Sequence, residues 1–261
     1  VGGATSITAT LGNIIDAGTF TVSAGGATFV TGADAASINL GTLAVTGGIT
    51  LTTNDSSGAD SDATIVNATA FAFGASTVDG DLSATATLGN ITQSGALTVG
   101  GTGTFVTSAD DADIVLSTAT NAITGEVSFT TNTSESAAAG TSDVTFDNGV
   151  LDIVFAASTI DGDLVVTSGN VSGITDNGTV TVDADVTLTT DANAGVINMN
   201  QLAQTDNSGN TLTLNTQGAG TATIVNATAV NLAAGTVGGA TSITATLGNI
   251  IDAGTFTVSA G

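Results

Sequence analysis

The sequence predicts an all-β protein built as a parallel β-helix, in which short strands wind into stacked coils. Residues 1–25 recur without change at residues 237–261, short runs of alternating apolar and polar residues fill the chain, and glycine interrupts these runs every few residues. Alternation with a period of two is typical of strands. Each scattered glycine would cost a helix about 1 kcal/mol, which argues against helices.

The repeat is hierarchical. A period of 236 residues separates the two identical segments, and three diverged copies begin near Val1, Val78 and Ile160, before a further start at Val237. Each copy divides at glycine, asparagine and aspartate into three pieces of about 26 residues, which predicts about nine coils per period and about three strands per coil. We therefore expect residues 1–261 to form one continuous solenoid, and the natural molecule to be a longer array of such periods.

The strands are predicted at runs such as ALTV, GTFV and DIVL, at residues 96–99, 103–106 and 113–116. An antiparallel sandwich is the alternative, but pieces this short suit one coil each better than a sandwich domain of about 100 residues. At about 4.8 Å per coil, nine coils predict an axial repeat of about 43 Å. Residues expected to stack inside the coils are Phe71, Phe73, Leu97, Val99, Ile123, Ile153 and Phe155.

The charge of the chain is one-sided. It contains 23 acidic residues, no Lys, Arg or His, and a formal net charge of −23. Disorder would also require low hydrophobicity, whereas 41% of the residues are apolar and the mean hydropathy is +0.43. The chain can therefore form a core, and this core must consist mainly of small aliphatic side chains.

The absence of cationic side chains excludes several kinds of partner. Binding to nucleic acid phosphates and to anionic lipid surfaces depends on Lys and Arg, so we expect neither. No apolar run approaches the roughly 20 residues that span a bilayer, so membrane insertion is not expected. The chain also lacks Cys, which rules out a disulfide framework and a cysteine-based zinc site.

Two segments carry a family resemblance: GNIIDAGTFTVSAGGATFVTGA at residues 12–33 and GNITQSGALTVGGTGTFVT at residues 89–107. Their pattern of Gly-Asn-Ile, a polar turn, a short alternating strand and Gly-Gly resembles filamentous-haemagglutinin-like adhesins and related "beta strand repeat" surface proteins of bacteria. The resemblance implies secretion, a right-handed parallel β-helix, and a role in adhesion, surface layers or fibres. The chain departs from that family in two ways: it lacks basic residues, and its long repeat is identical over the 25 residues that can be compared. These departures favour repetitive structural material.

Catalysis is poorly supported by this composition. Without His, Cys or Lys, a Ser-His-Asp triad, a Cys-His pair and a Schiff-base lysine cannot form. Paired carboxylates remain, and the one cluster is Asp110, Asp111 and Asp113. We interpret these as solvated turn residues and expect no enzyme.

Calcium is a more plausible use of the acidic residues, because carboxylate and carbonyl oxygens suit this cation. The alternative is that isolated turn carboxylates only keep a fibre soluble. The first copy has Gly2 and Ala4 where two later copies have DGD, so calcium is not expected in every copy, and no other cofactor is expected. The candidate ligands are Asp60, Asp62, Asp79, Asp81, Asp161, Asp163, Asp183 and Asp185.

Two further patterns are ambiguous. Asn-x-Ser/Thr sequons are candidate glycosylation sites, although this composition generates several by chance. Thr-x-Thr runs such as Thr8 to Thr10 could line a flat, ice-binding rank, although unequal coil lengths argue against flatness. The sequons begin at Asn54, Asn67, Asn90, Asn132, Asn170, Asn177 and Asn226.

Together these observations predict a structural repeat segment of a long extracellular filament, surface layer or sheath. Its expected partner is a further copy of the solenoid, joined end to end, with side-by-side assembly as a further option. The alternative is the stalk of a large secreted adhesin with its binding head elsewhere. Calcium-stabilised and ice-binding solenoids are minor alternatives.

Overall fold

The computed structural model describes residues 1–54, 60–132, 141–205 and 209–259. The described residues form 31 strands and no helix, arranged as a parallel β-solenoid of about 11 turns. This confirms the predicted fold class. The last two residues of the second identical segment, 260–261, lie outside the described residues.

The strands form two parallel sheets on opposite sides of the solenoid. Sheet 1 contains β1 (Thr5–Ala9), β4 (Ala27–Thr31), β6 (Gly48–Thr52), β8 (Phe71–Phe73), β9 (Ser76–Val78), β11 (Ile91–Gln93), β12 (Leu97–Val99), β14 (Ile114–Leu116), β15 (Ala122–Ile123), β17 (Val144–Asp147), β20 (Leu164–Ser168), β23 (Val186–Asn193), β25 (Leu212–Gln217), β27 (Val230–Leu232), β28 (Gly235–Val237), β30 (Ile250–Asp252) and β31 (Phe256–Val258). Sheet 2 contains β2 (Ile14–Ile15), β3 (Phe20–Val22), β5 (Ile38–Val45), β7 (Ala63–Asn67), β10 (Leu82–Ala86), β13 (Gly103–Thr107), β16 (Val127–Thr130), β18 (Ile153–Phe155), β19 (Ser158–Ile160), β21 (Ile174–Asp176), β22 (Val180–Val182), β24 (Ile197–Gln204), β26 (Ala222–Asn226) and β29 (Thr241–Ala245).

The chain crosses the two sheets alternately, and each crossing is called a half-coil here. A straight half-coil is a single strand such as β1 or β10. A bowed half-coil consists of two short strands, such as β11 and β12, or of one long strand with a register shift, as in β5 and β24. Most coils combine one straight and one bowed half-coil, so three strands per coil is confirmed.

The coils are shorter than predicted: they stack about 22 residues apart rather than 26. Each of the three copies contains seven half-coils in the order straight, bowed, straight, bowed, straight, straight, bowed. A period therefore contains ten and a half coils instead of nine, and its axial advance becomes about 50 Å. The predicted coil count was wrong because each copy was divided into three pieces of one coil each, whereas it contains seven half-coils, or three and a half coils.

An odd number of half-coils moves each successive copy to the opposite sheet. The strand TSITA lies in sheet 1 as β1, where it pairs with β4, and in sheet 2 as β29, where it pairs with β26. The starts of the middle two copies alternate in the same way, with β10 in sheet 2 and β20 in sheet 1. The two sheets are thus built from the same set of segments, offset along the axis.

Inward residues of both sheets fill the space between them. All seven core residues predicted from the sequence are buried. Phe129 lies at the centre of the aromatic part, with ring centroids 5.7 Å from Phe105, 5.3 Å from Phe146 and 6.1 Å from Phe155. Parallel in-register pairing places Phe105 directly beside Phe129, so successive coils stack ring on ring.

The same turn geometry recurs in all three copies. Ala35, Asp111 and Ala194 occupy equivalent turns after the third half-coil, and each has a positive φ of 55°, 54° and 63°. This left-handed conformation costs a non-glycine residue about 1–2 kcal/mol. Its presence in every copy indicates that the backbone path of the turn, rather than the local sequence, imposes it.

Phe129→Ala should lower the free energy of unfolding by about 3–5 kcal/mol, because it removes a ring that contacts three others and leaves a cavity that neighbouring coils cannot fill. Chemical denaturation monitored by circular dichroism measures this. Thr130→Ala, on the outward face of the same strand, is the control and should change stability by less than about 0.5 kcal/mol. Equal effects of the two substitutions would contradict the assigned orientation of β16.

Candidate functional site: carboxylates and amides at the coil edges

Turns between the sheets form two edges. Edge 1 contains turns from sheet 1 to sheet 2, and edge 2 contains turns in the other direction. The eight predicted calcium ligands divide between them: Asp60, Asp62, Asp79 and Asp81 lie at edge 1, and Asp161, Asp163, Asp183 and Asp185 lie at edge 2. The two DGD motifs belong to copies seven half-coils apart, which places them on opposite edges.

Edge 2 carries a column of aspartates joined by hydrogen bonds from one coil to the next. The backbone N–H of Asp143 donates to Asp113 Oδ1 at 3.0 Å, that of Asp163 to Asp143 Oδ1 at 2.8 Å, and that of Asp185 to Asp163 Oδ1 at 2.9 Å. The N–H of Thr211 ends the column on Asp185 Oδ1 at 2.6 Å. We call this set the aspartate column.

A shorter column of the same kind lies at edge 1. Asp62 Oδ1 accepts from the N–H of Asp81 at 2.9 Å, and Asp81 Oδ1 accepts from the N–H of Thr102 at 2.7 Å. One oxygen of each carboxylate thus satisfies a turn N–H of the next coil. The columns therefore have a structural function before any ligand is considered.

Neighbouring like charges and burial alter the ionisation of carboxylates at edge 2. Burial raises the pKa of Asp143, the hydrogen bond from Asp163 N–H opposes this, and the charges of Asp163 and Asp113 raise it further. Burial also raises the pKa of Asp183, with a contribution from the charge of Asp161. The chain has no cationic side chain that could offset this repulsion by forming an ion pair.

The predicted calcium ligands do not come together as clusters of carboxylates. Among residues 1–54, 60–132, 141–205 and 209–259, no three acidic side chains converge in a way that could hold a metal ion. Each column instead places one carboxylate per coil, with the backbone N–H of the next aspartate bonded to it. Calcium binding stays a prediction.

A second set of carboxylates braces the bowed half-coils. Asp16 accepts hydrogen bonds from the N–H groups of Gly41 and Thr42, at 3.1 and 2.8 Å, where the next coil bends. Asp176 does the same for Asn200 and Gln201, at 2.9 and 2.8 Å. Burial alone would raise the pKa of Asp16, but the hydrogen bonds from Thr42 and Gly41 outweigh it and lower this pKa.

Gln93 replaces these carboxylates in the middle copy. Its side chain exchanges two hydrogen bonds with Asn121, at 2.8 and 2.9 Å, and its Oε1 accepts from the N–H of Thr118 at 3.2 Å. A neutral amide can therefore brace a bend, but it does so through a second amide on the next coil.

Two of the predicted sequon asparagines are buried and fully used inside the fold. Asn67 Oδ1 accepts from the N–H of Val45 at 2.9 Å, while its Nδ2 donates to the carbonyls of Val45 and Ala70. Asn226 makes the corresponding bonds in the third copy. A glycan at either amide would have to displace these bonds.

The other five sequons lie nearer the surface. Asn177 is exposed, and its Nδ2 donates to Glu126 at 2.7 Å. Asn54, Asn90, Asn132 and Asn170 are half-buried and hydrogen-bonded. Glycosylation at any of the seven stays a prediction.

Threonine ranks do exist on the sheets, but they differ from the expectation for ice binding. Thr8, Thr85 and Thr181 point outwards from strands, whereas Thr10 and Thr87 lie beyond the strand ends and Thr179 lies at a bend directly before β22, so the Thr-x-Thr runs do not form the same paired ranks in each copy. In sheet 1 the rank from Thr8 continues through Val30 to Thr52, which breaks its chemical uniformity. The ranks form no uniform threonine surface.

Sequence reasoning missed the columns and the braces. Asp113 and Asp143 are separated by 30 residues, but Asp143 and Asp163 by only 20. Because these separations differ, the column is not visible as a repeat in the sequence, although the register between coils places its aspartates directly above one another. The recurrence of Asp16, Gln93 and Asp176 at one position of the three copies was the available signal.

Comparison with known proteins supports the repeat unit. Residues 60–130 match a family described as repeats of unknown function (DUF5649). This segment covers less than half of the chain and contains seven half-coils, from β7 to β16, which is the length of one copy. No curated protein and no solved structure matches the chain. None of the described residues belongs to a helix long and apolar enough to cross a membrane.

The same Asp→Asn change should have opposite effects at two positions. Asp176→Asn should lower the free energy of unfolding by about 1–3 kcal/mol, because an amide offers one oxygen to two backbone N–H groups. Asp143→Asn keeps an oxygen for Asp163 N–H and removes a repelling charge, so it should raise stability by a few tenths to about 1 kcal/mol. Urea denaturation measures both, and changes of equal sign would contradict the assigned roles.

Mild acidification should stabilise the chain. Asp143, Asp147 and Asp183 have pKa values raised above 3.8 in the folded state, so the melting temperature should rise as the pH falls through those values, and the gain is complete below 3.8. The lowered pKa of Asp16 has the opposite sign: its stabilisation is present above 3.8 and is lost as the pH falls through its folded value. Calorimetry at constant ionic strength tests this, and a melting temperature that falls steadily from pH 7 to about pH 4 would contradict it.

The calcium hypothesis predicts that a chelator lowers the melting temperature. A cation between successive carboxylates would bind only the folded chain and would therefore stabilise it. Thermal melts in calcium and in EGTA, with equal sodium as the control for screening, measure the difference. Asp163→Asn should abolish most of the shift, and identical melts in calcium and EGTA would remove the hypothesis.

Proposed function

We propose that this chain is a structural repeat segment of a long extracellular filament, surface layer or sheath, and that it performs no catalysis itself. The fold supports this because every coil presents the same backbone edge to the next, so the solenoid can lengthen without a new kind of contact. Its side chains serve this stacking through the aromatic core, the aspartate column and the braces at Asp16, Gln93 and Asp176.

The observation that carries the proposal is a comparison of identical residues in two surroundings. The strand TSITA pairs with the following coil as β1, where Ile7 lies beside Phe29, and with the preceding coil as β29, where Ile243 lies beside Ile224. One identical segment therefore accepts a parallel coil on either side, which supports end-to-end continuation with copies of the same solenoid.

The extracellular assignment and the kinship with haemagglutinin-like surface proteins rest on the resemblance of residues 12–33 and 89–107, and belong to the proposal. A chain without Lys and Arg offers no trypsin cleavage site, which suits exposed material. The stalk of a secreted adhesin is the second candidate, favoured by the divergence of the three inner copies, since a stalk needs only approximate repeats.

Cryo-electron microscopy of the native assembly tests the proposal. Filaments or layers with an axial advance of about 50 Å per period are expected. Short stalks that end in a globular tip would favour the adhesin instead, and isolated globular particles would contradict both.

A further inference from the structure

The outer surface of the solenoid alternates between flat and raised blocks. In sheet 1 the straight strands β1, β4 and β6 form a flat block, and the bowed half-coils from β8 to β15 form the next block. Further along, β17, β20, β23 and β25 are straight, and β27 to β31 are bowed. Sheet 2 has the opposite order, because most coils combine one bowed and one straight half-coil.

The register between coils gives the height of the raised blocks. Ile38 pairs with Ala63 and Leu43 with Asn67, so six residues of β5 span the same distance as five residues of β7. With about 3.3 Å per residue, one extra residue lifts the middle of the bowed strand by about 5 Å. The lift is outwards, since Gly41 and Thr42 at the bend are exposed while Leu40 and Leu43 are buried.

Grooves occur where raised and flat blocks meet. On sheet 2, a groove of about 250 Å³ lies between the bend at Gly41 and Thr42 and the flat surface at Val66 and Ala68. An equivalent groove of about 430 Å³, two copies later, lies between Asn200 and Val225. On sheet 1, a groove of about 420 Å³ separates Thr50 on the flat block from Gly74 and Ser94 at the next bends.

The faces carry little charge. Within the described part of the chain, Asp16, Asp176 and Asp252 lie at bends of the raised blocks, Asp147 and Asp191 lie inside strands, and the others lie in the edge turns. The centres of the flat blocks present Thr, Ser and Val, as at Ser83, Thr85 and Val106. A second copy, which is equally acidic, is therefore repelled at the edges and much less at the faces.

From this relief we infer that copies of the solenoid stack side by side in parallel, with sheet 1 of one copy against sheet 2 of the next and without axial offset. At most heights a raised block then meets a flat block, and flat meets flat only where two straight half-coils follow each other, as at β6 and β7. A face about 17 Å wide and about 53 Å high buries about 900 Å² on each partner, which is close to the roughly 800 Å² per partner of stable complexes. The inference rests on the proposed structural function and identifies the lateral partner as a second copy of this chain.

The contact is heterologous, because two different faces meet. Such contacts do not close when the copies are related by translation, so the stack continues into a layer. Screening of the edge charges is required, and the Debye length shrinks from about 10 Å at 0.1 M salt to about 3 Å at 1 M. Stacking should therefore strengthen with ionic strength.

Cysteine cross-linking tests the orientation directly, since the natural chain has no Cys. Ser94, the site of Ser94→Cys, is exposed at the raised bend between β11 and β12 in sheet 1, and Thr85, the site of Thr85→Cys, lies on the flat block of sheet 2 at a similar height. With a short bis-maleimide at high salt, the double variant should give a ladder of multimers. Each single variant should give less than one-tenth of that yield. Thr10→Cys combined with Ser94→Cys is the negative control, because Thr10 lies at an edge turn about four coils from Ser94 along the axis.

Each alternative has its own result. Efficient dimers from Thr85→Cys alone would mean that two flat faces meet in a two-fold contact, and would overturn the inference. Ladders equally strong with Thr10→Cys would indicate association through the edges, where Leu11 and Leu88 are exposed, and would also overturn it.

Sedimentation of the unmodified chain provides a second measurement that does not depend on the variants. Its weight-average mass should at least double between 0.05 and 1 M salt, and Thr85→Glu should abolish this increase while Thr10→Glu preserves it. A monomer at every salt concentration overturns lateral stacking. It leaves the structural function untouched if single filaments with the expected axial advance are still observed.

Discussion

The parallel hydrogen-bond ladder between coils is the constraint on which the rest of this structure depends. It fixes the distance between successive coils and the register of their strands. Residues of successive coils therefore lie directly above one another. Phe105 and Phe129 stack inside for this reason, and Asp143 and Asp163 stack outside for the same reason. A favourable ring contact and an unfavourable charge contact are thus two results of one register.

The odd number of half-coils per copy is the second determinant. After seven crossings the next copy begins on the opposite sheet. A strand that one copy places on one face is therefore placed on the other face by the next copy. A solenoid with a whole number of coils per copy would have two chemically different faces. Here both faces have the same order of straight and bowed half-coils, offset along the axis, which is why raised and flat blocks alternate in antiphase and why a pure translation brings them into contact.

Sequence alone predicted the fold class, the three copies and the buried side chains, because strand alternation and recurrence are visible in the letters. The coil count could not be obtained in this way. Straight and bowed half-coils differ by a single residue in register, as at Ile38 to Leu43, and glycine occurs at bends as well as at edges. The calcium ligands were assigned by local D-x-D spacing, whereas the fold pairs residues such as Asp163 and Asp185 through stacking, so the two DGD motifs lie on opposite edges.

The central claim is that equivalent residues of successive copies lie on opposite sheets. Thr8 and Thr85 are such a pair, with Thr8 in sheet 1 and Thr85 in sheet 2. Spin labels on cysteines at these two positions of the otherwise cysteine-free chain allow a pulsed electron paramagnetic resonance distance to be measured. The labels should be separated by more than the axial distance of about 17 Å for three and a half coils, because the thickness of the solenoid and both outward-pointing labels add to it. A distance close to about 17 Å would place both residues on one face and would contradict the account.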